Sequence, residues 1–337
     1  MTVIPKQRLQ AILSSFKGKH VAVLGDLMLD RYYWGVVRRV SPEAPVPVVE
    51  VESEQTRFGG AANVANNIQA LGGIPILVGL VGDDHQGEEF TSLMERQGLV
   101  TSGIVRDPSR PTTIKTRVIA QGQHIVRIDT ESKAPCPAEL QSSVVGVIRK
   151  MIRDLDAIII EDYNKGVITR EIIHEVTGLA RQHGCPVTVD PKFDNFLEYR
   201  GVTVFKPNRR ETEEVLGGRL KTTADVEAAG KKLLGLLGAE NVLLTRSEEG
   251  MSLFQSDGSV THIPTHADNV QDVSGAGDTV IATLTMALAG GADIREACYL
   301  ANCAGGVVVG FVGIVSIEPA QLLDAALRCQ QTHRVHT

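Results

Sequence analysis

Aromatic side chains are scarce in this sequence, at 4% of 337 residues with a single tryptophan, which excludes a core built around packed rings. With 43% hydrophobic residues and 33 glycines, the interior must come from Val, Ile, Leu and Ala at close backbone approach. Cysteine is sparse too. The five cysteines, at 136, 185, 298, 303 and 329, are odd in number, scattered and without a C-x-x-C pair. That excludes a disulfide framework and reads as reduced thiols in a cytoplasmic protein. There is no long basic run and the formal net charge is −6, so the footprint of a nucleic-acid binder is missing and small molecules are the expected partners. Residues 1–20 contain no apolar stretch of signal-peptide length. Ala297 to Ile317 is long and uncharged, but Asn302 and the glycines at 305, 306, 310 and 313 predict a buried helix and turn, so no membrane partner is expected.

What is present is an alternation. His20 to Asp26, Asp156 to Asp162 and Pro186 to Asp190 are short β-branched runs, the pattern of strands buried on both faces, and each ends in aspartate. Helical stretches lie between and after them: Ala61 to Leu71, Ala138 to Arg153, Thr169 to His183, Thr222 to Leu237 and Gly277 to Ala289. This order predicts an α/β fold with a mostly parallel sheet covered on both sides. Ligands of such sheets sit at the carboxyl ends of the strands, where Asp26, Asp162 and Asp190 should converge unless they serve as caps. Trp34 to Glu52 and Thr112 to Thr130 break the alternation and read as extended strands, the first interrupted by Pro42, Pro45 and Pro47. Proline belongs on strand edges, so these segments predict a small β-sheet lid inserted at about 32–52 and 112–130 of a single domain spanning residues 1–337.

The strongest local signal is Asp272 to Thr279 (DVSGAGDT), followed by an uncharged helix. A glycine-rich turn feeding a helix leaves first-turn amides unpaired, and the helix dipole adds to their attraction for anions. Gly275, Ala276 and Gly277 thus form a candidate phosphate site, with Asp278 in the first turn beside it. A carboxylate there either caps the helix or accepts the proton of an attacking hydroxyl. Other nucleotide signatures are missing: no G-x-x-x-x-G-K-[ST], no H-R-D, and no G-x-G-x-x-G after the first strand. Asn208 and Glu211, three apart at a predicted helix start, can cap that helix or orient the waters of Mg²⁺. His262 and His266 flank Pro264, which opposes the helix that would align them on zinc.

Together, G-A-G-D at 275–278, Gly59-Gly60-Ala61-Ala62-Asn63 and Asn208-Arg209-Arg210-Glu211 resemble the PfkB, or ribokinase-like, carbohydrate kinase family over nearly the whole chain. The resemblance implies a three-layer α/β/α sandwich with a β-sheet lid, Asp278 as catalytic base, a lid hinge at Gly59 and Gly60, and ATP with Mg²⁺ at Asn208 and Glu211. It also implies nucleotide contacts at Thr245, Gly250 and Asn302, and a monovalent cation such as K⁺ near Asp272, Val273 and Ser316. Ser274 stands where Thr is common before G-A-G-D; both carry a hydroxyl.

Arg39 to Val48 (RVSPEAPVPV), Gly25 to Tyr32, Asp162 to Gly166, Asp190 to Lys192 and Thr245 to Ser252 resemble one branch of that family more closely. That branch phosphorylates D-glycero-β-D-manno-heptose 7-phosphate at O1, on the ADP-heptose route to the lipopolysaccharide inner core. Its kinase is in some bacteria fused to a nucleotidyltransferase; the chain ends soon after its last helical stretch, so a monofunctional kinase is expected. The sugar is then expected around Asp26, Asp30, Gly59, Gly60, Asn63, Asp162 and Asp190, and its phosphate at Arg117, Lys165 or Lys192. Another PfkB kinase, acting on fructose 6-phosphate or a nucleoside, differs only in the lid motif. A non-catalytic nucleotide or sugar sensor is disfavoured by Asp278, Asn208 and Glu211 occurring together. The exposed edges of the lid predict a homodimer.

Overall fold

The computed structural model describes residues 4–265 and 270–335, with 332–335 by backbone alone; His266 falls outside them. Helix α1 (Lys6–Ser14) leads into β1 (His20–Gly25), after which the chain leaves the main sheet for two long strands, β2 (Leu27–Val40) and β3 (Pro47–Gly60). It returns through α2 (Ala61–Ala70), β4 (Ile74–Gly82), α3 (His85–Arg96) and β5 (Ile104–Asp107), and leaves again for the hairpin β6 (Thr113–Ala120) and β7 (Gln123–Thr130). Strands and helices then alternate: α4 (Ala138–Met151), β8 (Ala157–Glu161), α5 (Arg170–His183), β9 (Val187–Asp190), β10 (Val204–Phe205), α6 (Arg209–Leu216), α7 (Thr223–Leu237) and β11 (Asn241–Thr245). The hairpin β12 (Met251–Gln255) and β13 (Val260–Ile263) precedes three final helices, α8 (Ala276–Ala289), α9 (Ile294–Val308) and α10 (Pro319–Val335).

The main sheet has nine strands in the order β13-β12-β11-β10-β9-β8-β1-β4-β5. Only the β11–β12 and β12–β13 pairings are antiparallel. Alternation along β1 explains the layers: Val21 and Val23 belong to a core shared with α2, α8 and α9, whereas Ala22 and Leu24 belong to a second core beneath α4, α5 and α7. With both faces buried, the strand has no polar face and appears in sequence as a continuous apolar run. Helix ends follow local rules. Thr169 caps α5 through Ile172 N and the left-handed Gly184 ends it, while α9 opens on a capping box between Asp293 and Glu296. The Ala297 to Ile317 run proves to be most of α9 and the turn after it. Among the described residues no helix is long and apolar enough to cross a membrane.

The second sheet, ordered β3-β2-β6-β7, is the expected lid, but its first segment is longer than the proline-rich stretch suggested and runs from Leu27 to Gly60. Leu27, Met28 and Leu29 are buried against the main domain, so in sequence they merge with the end of β1. The prolines have simple places: Pro42 and Pro45 lie in the turn between β2 and β3, and Pro47 begins β3. Along the opposite edge all eight residues of β7 are exposed.

Candidate active site

The strand ends build the floor. Register pairs Gly25 with Glu161 and Glu161 with Asp190, so the aspartates that follow or end these strands do come together. Two of them have a different role from the one expected. Asp26 is buried and accepts the backbone N–H of Tyr163 (2.7 Å), Lys165 (3.1 Å) and Val167 (3.1 Å). Burial, reinforced by the nearby Asp162, pushes its carboxyl up to about 6 against those three amides. Asp162, also buried, accepts from Tyr199 Oη (2.6 Å), Asn164 N (2.8 Å) and Asn195 Nδ2 (3.2 Å). These two carboxylates, expected beside the sugar, hold the loop after β8 to the sheet.

Asp278 lies where the glycine-rich turn becomes α8. Gly275 adopts φ +75°, which a β-carbon would strain, and this left-handed residue is the N-cap from which α8 begins. Asp278 is buried, with Oδ2 accepting from Asn63 Nδ2 (2.6 Å) and Oδ1 from Tyr163 Oη (2.8 Å). Burial pushes its carboxyl up to about 6, while Asn63 and Tyr163 pull it back; Asp190 then adds to the rise and Lys206 opposes it. A carboxylate so poised accepts a proton near neutrality.

Beside it, Lys206 Nζ is 2.7 Å from Asp190 Oδ2, and a β-carbon on Gly277 would stand 3.6 Å from that same oxygen. Lys192 pairs with Glu211 and lies 5.8 Å over the Tyr163 ring. Asn208 and Glu211 form a complete capping box, each accepting the other's backbone N–H at 2.8 Å. Glu161 is buried too, and its Oε2 has no hydrogen-bond partner among the described residues. Burial, then Asp190 and Asp278, raises its carboxyl well above the ordinary value. Four carboxylates, Glu161, Asp190, Glu211 and Asp278, thus share two ammonium groups, Lys192 and Lys206. The surplus negative charge suits a hydrated divalent cation. Since both Glu211 oxygens are already engaged, Asn208 and Glu211 would hold Mg²⁺ through its waters.

Further along the sheet, Thr245 bridges to Asn208 at the end of β11. Gly250 packs against Ile263 and Pro264, and Asn302 Nδ2 donates to Pro264 O at 2.8 Å. The three expected nucleotide residues therefore surround the ends of β11, β12 and β13. Asp272 accepts from Ser274 N (2.9 Å) and Gly313 N (3.0 Å), which lays the 272–274 and 313–316 stretches side by side. Both Asp272 oxygens are thereby engaged by backbone amides, and Val273 and Ser316, the other residues expected at a monovalent cation, are exposed.

From above comes the lid. Where lid strand β3 meets α2, Gly60 has φ +56° and stands so close to its surroundings that a β-carbon would be 2.5 Å from Asp26 O. Its neighbour Gly59 leaves room for Asp30 in the same way. Asp30 is paired with Arg117, and the guanidinium groups of Arg117 and Arg57 lie 5.2 Å and 5.7 Å from the Tyr32 ring. Arg57 donates to Gln55 Oε1 and Ile314 O and, among the described residues, has no carboxylate partner. Lys165 is paired with Glu131 at 2.7 Å.

The pfkB family carbohydrate kinase signature matches residues 19–320. The chain belongs to the pfkB family of carbohydrate kinases. It is 43% identical over 320 residues to the bifunctional protein HldE of Geobacter metallireducens, covering 95% of this chain and 65% of that one. Against the bifunctional protein HldE of Helicobacter pylori the figures are 42%, 94% and 67%. The chain therefore spans about two thirds of the length of these relatives. Among solved structures, Arabidopsis thaliana ribokinase complexed with ribose and ATP superposes with a TM-score of 0.73 at 20% identity, covering 92% of this chain and 99% of that one. That likeness speaks for the ribokinase-like fold.

Within this pfkB kinase, the sequence reading missed four side chains that the fold brings to the site: Glu161, Tyr163, Lys206 and Arg57. Glu161 and Tyr163 flank Asp162, and alternation along β8 alone would place Glu161 and Asp162 on opposite faces. Lys206 follows β10, which is two residues long and carries no periodic signal.

Proposed function

We propose that this pfkB kinase transfers the γ-phosphoryl group of ATP to O1 of D-glycero-β-D-manno-heptose 7-phosphate, giving the 1,7-bisphosphate. The observation that carries the reading is Asp278, buried at the opening of α8, held by Asn63 and Tyr163, with its carboxyl pushed up to about 6. Asp278 takes the proton of the anomeric hydroxyl as its oxygen bonds to phosphorus; the bond from phosphorus to the bridging oxygen breaks, and ADP leaves with the electron pair. First-turn amides of α8 and Lys206 stabilise charge on the transferring group. Magnesium supplies further charge neutralisation on the phosphates when bound. The lid excludes water, which would otherwise compete as acceptor.

The heptose assignment rests on the lid segment RVSPEAPVPV and on Gly25 to Tyr32, both within the stretch shared with the HldE relatives. A coupled ADP-release assay should give the highest kcat/KM with the heptose 7-phosphate, against sedoheptulose 7-phosphate, fructose 6-phosphate and ribose. Preference for any of the other three sugars refutes the heptose reading and leaves another sugar kinase of this family.

The lid also supports a homodimer. Val51 on β3 is 54% exposed, and Val126 and Ile128 on the open edge strand β7 are 47% and 54% exposed. Pairing two lids about a two-fold axis would cover both edges. Sedimentation at micromolar concentration should report a dimer, and Ile128→Lys should shift it toward monomer. A parent protein that sediments only as monomer removes the lid interface.

A further inference from the structure

Asp278 is held by two donors of different origin, and that difference separates their roles. Asn63 is the third residue of α2, immediately beyond the Gly59–Gly60 hinge that joins this helix to lid strand β3. Tyr163 belongs to the main domain. Its backbone N–H is tied to Asp26, as are those of Lys165 and Val167, so the loop that carries the phenol is anchored to the end of β1 independently of the lid. One donor sits beside the glycine pair that joins the lid to the main domain, and the other on a loop tied to the end of β1.

Each oxygen of the base already holds one donor, so the sugar hydroxyl must share an oxygen with that donor or take its place. We propose that Tyr163 is the positioning residue of the base: its hydroxyl keeps hold of Oδ1, and the sugar hydroxyl replaces Asn63 at Oδ2. The chain Asp26, Tyr163, Asp278 then links the buried end of β1 to the reacting oxygen. Tyr163 keeps its own proton throughout. Its phenol is raised well above its ordinary value by burial and by Asp278, Glu161 and Asp190, so it remains a donor over the whole working range. The ionisable groups around Asp278 are Glu161 ending β8, Asp190 ending β9, Lys206 after β10, and Tyr163 itself. Among them Tyr163 supplies the direct hydrogen bond to Oδ1, and losing it disfavours the carboxylate.

This inference rests on Asp278 being the base, so the test separates the two. Tyr163→Phe keeps the ring that faces Lys192 and removes only the hydroxyl. It should lower kcat about tenfold, with KM for either substrate within about twofold. The acidic limb of kcat/KM, near pH about 6 in the parent, should move to higher pH because the charged base has lost a donor. In an Asp278→Asn background Tyr163→Phe should have no further effect. An inactive Asp278→Asn beside a Tyr163→Phe enzyme with unchanged kcat and pH limb overturns the positioning role and leaves the base standing. A tenfold loss that persists in the Asp278→Asn background also overturns it, as that marks a purely structural effect. Full activity in Asp278→Asn alone refutes the base, and the role of Tyr163 with it.

Discussion

Asp278→Asn should fold as the parent does and lose about 10²–10⁴-fold in kcat, corresponding to about 3–5 kcal/mol of transition-state stabilisation. The substitution keeps the shape while removing the group that takes the proton. It leaves one donor, Asn63 or Tyr163, facing an amide NH₂, at a cost of about 1–2 kcal/mol, but it also removes a charge from a buried site, and the two effects oppose each other. Melting temperature should change little, while KM for ATP stays close to that of the parent. The parent's pH profile provides an independent check. Burial raises the Asp278 carboxyl to about 6, so its base form is lost as pH falls through that value, and kcat/KM should fall with it. Turnover of Asp278→Asn within a few-fold of the parent would reassign the base, with Asp190 as the nearest alternative.

The parts of this site that were legible in the sequence are those set by local chemistry. A strand buried on both faces has to be a β-branched run, which is why β1, β8 and β9 can be read directly, and a glycine-rich turn before an uncharged helix has few uses besides holding an anion. Direction and partnership were not legible. That three strands end in aspartate follows from the sequence, but whether each carboxylate faces a ligand or a backbone amide depends on how the following loop folds back. Asp26 and Asp162 face amides. Tyr163 meets Asp278 across 115 positions, and Lys165 is neutralised by Glu131 across 34. Neither pairing leaves a periodic trace. The lid boundary was missed for the opposite reason: Leu27 to Leu29 belong to a lid strand and to the main core at once, and the hydrophobic pattern records only burial.

The second large effect concerns the cations that would meet a substrate phosphate. Of the three expected from sequence, Lys165 is held by Glu131 and Lys192 by Glu211. Arg117 is paired with Asp30 but lies over the Tyr32 ring, as does Arg57, which has no carboxylate partner among the described residues. Two guanidinium groups on one ring repel one another, and a phosphate between them would relieve that repulsion while accepting bidentate hydrogen bonds. A substrate without the phosphate leaves Arg117 to Asp30 alone and Arg57 with no carboxylate partner among the described residues under a closed lid. Charged groups left unpaired there cost several kcal/mol, so kcat/KM for the dephosphorylated heptose should be lower by about 10³-fold. Arg57→Ala and Arg117→Ala should each erode that discrimination at least about tenfold, mainly by weakening the phosphorylated substrate. Lys165→Ala should change it little, since its charge is already matched by Glu131. If the free heptose reacts as well as its 7-phosphate, no phosphate is recognised and the natural acceptor is a neutral sugar or nucleoside. If discrimination is strong but insensitive to both arginines and lost in Lys165→Ala, the phosphate lies instead at the Lys165–Glu131 pair, and Glu131 must turn away when substrate binds.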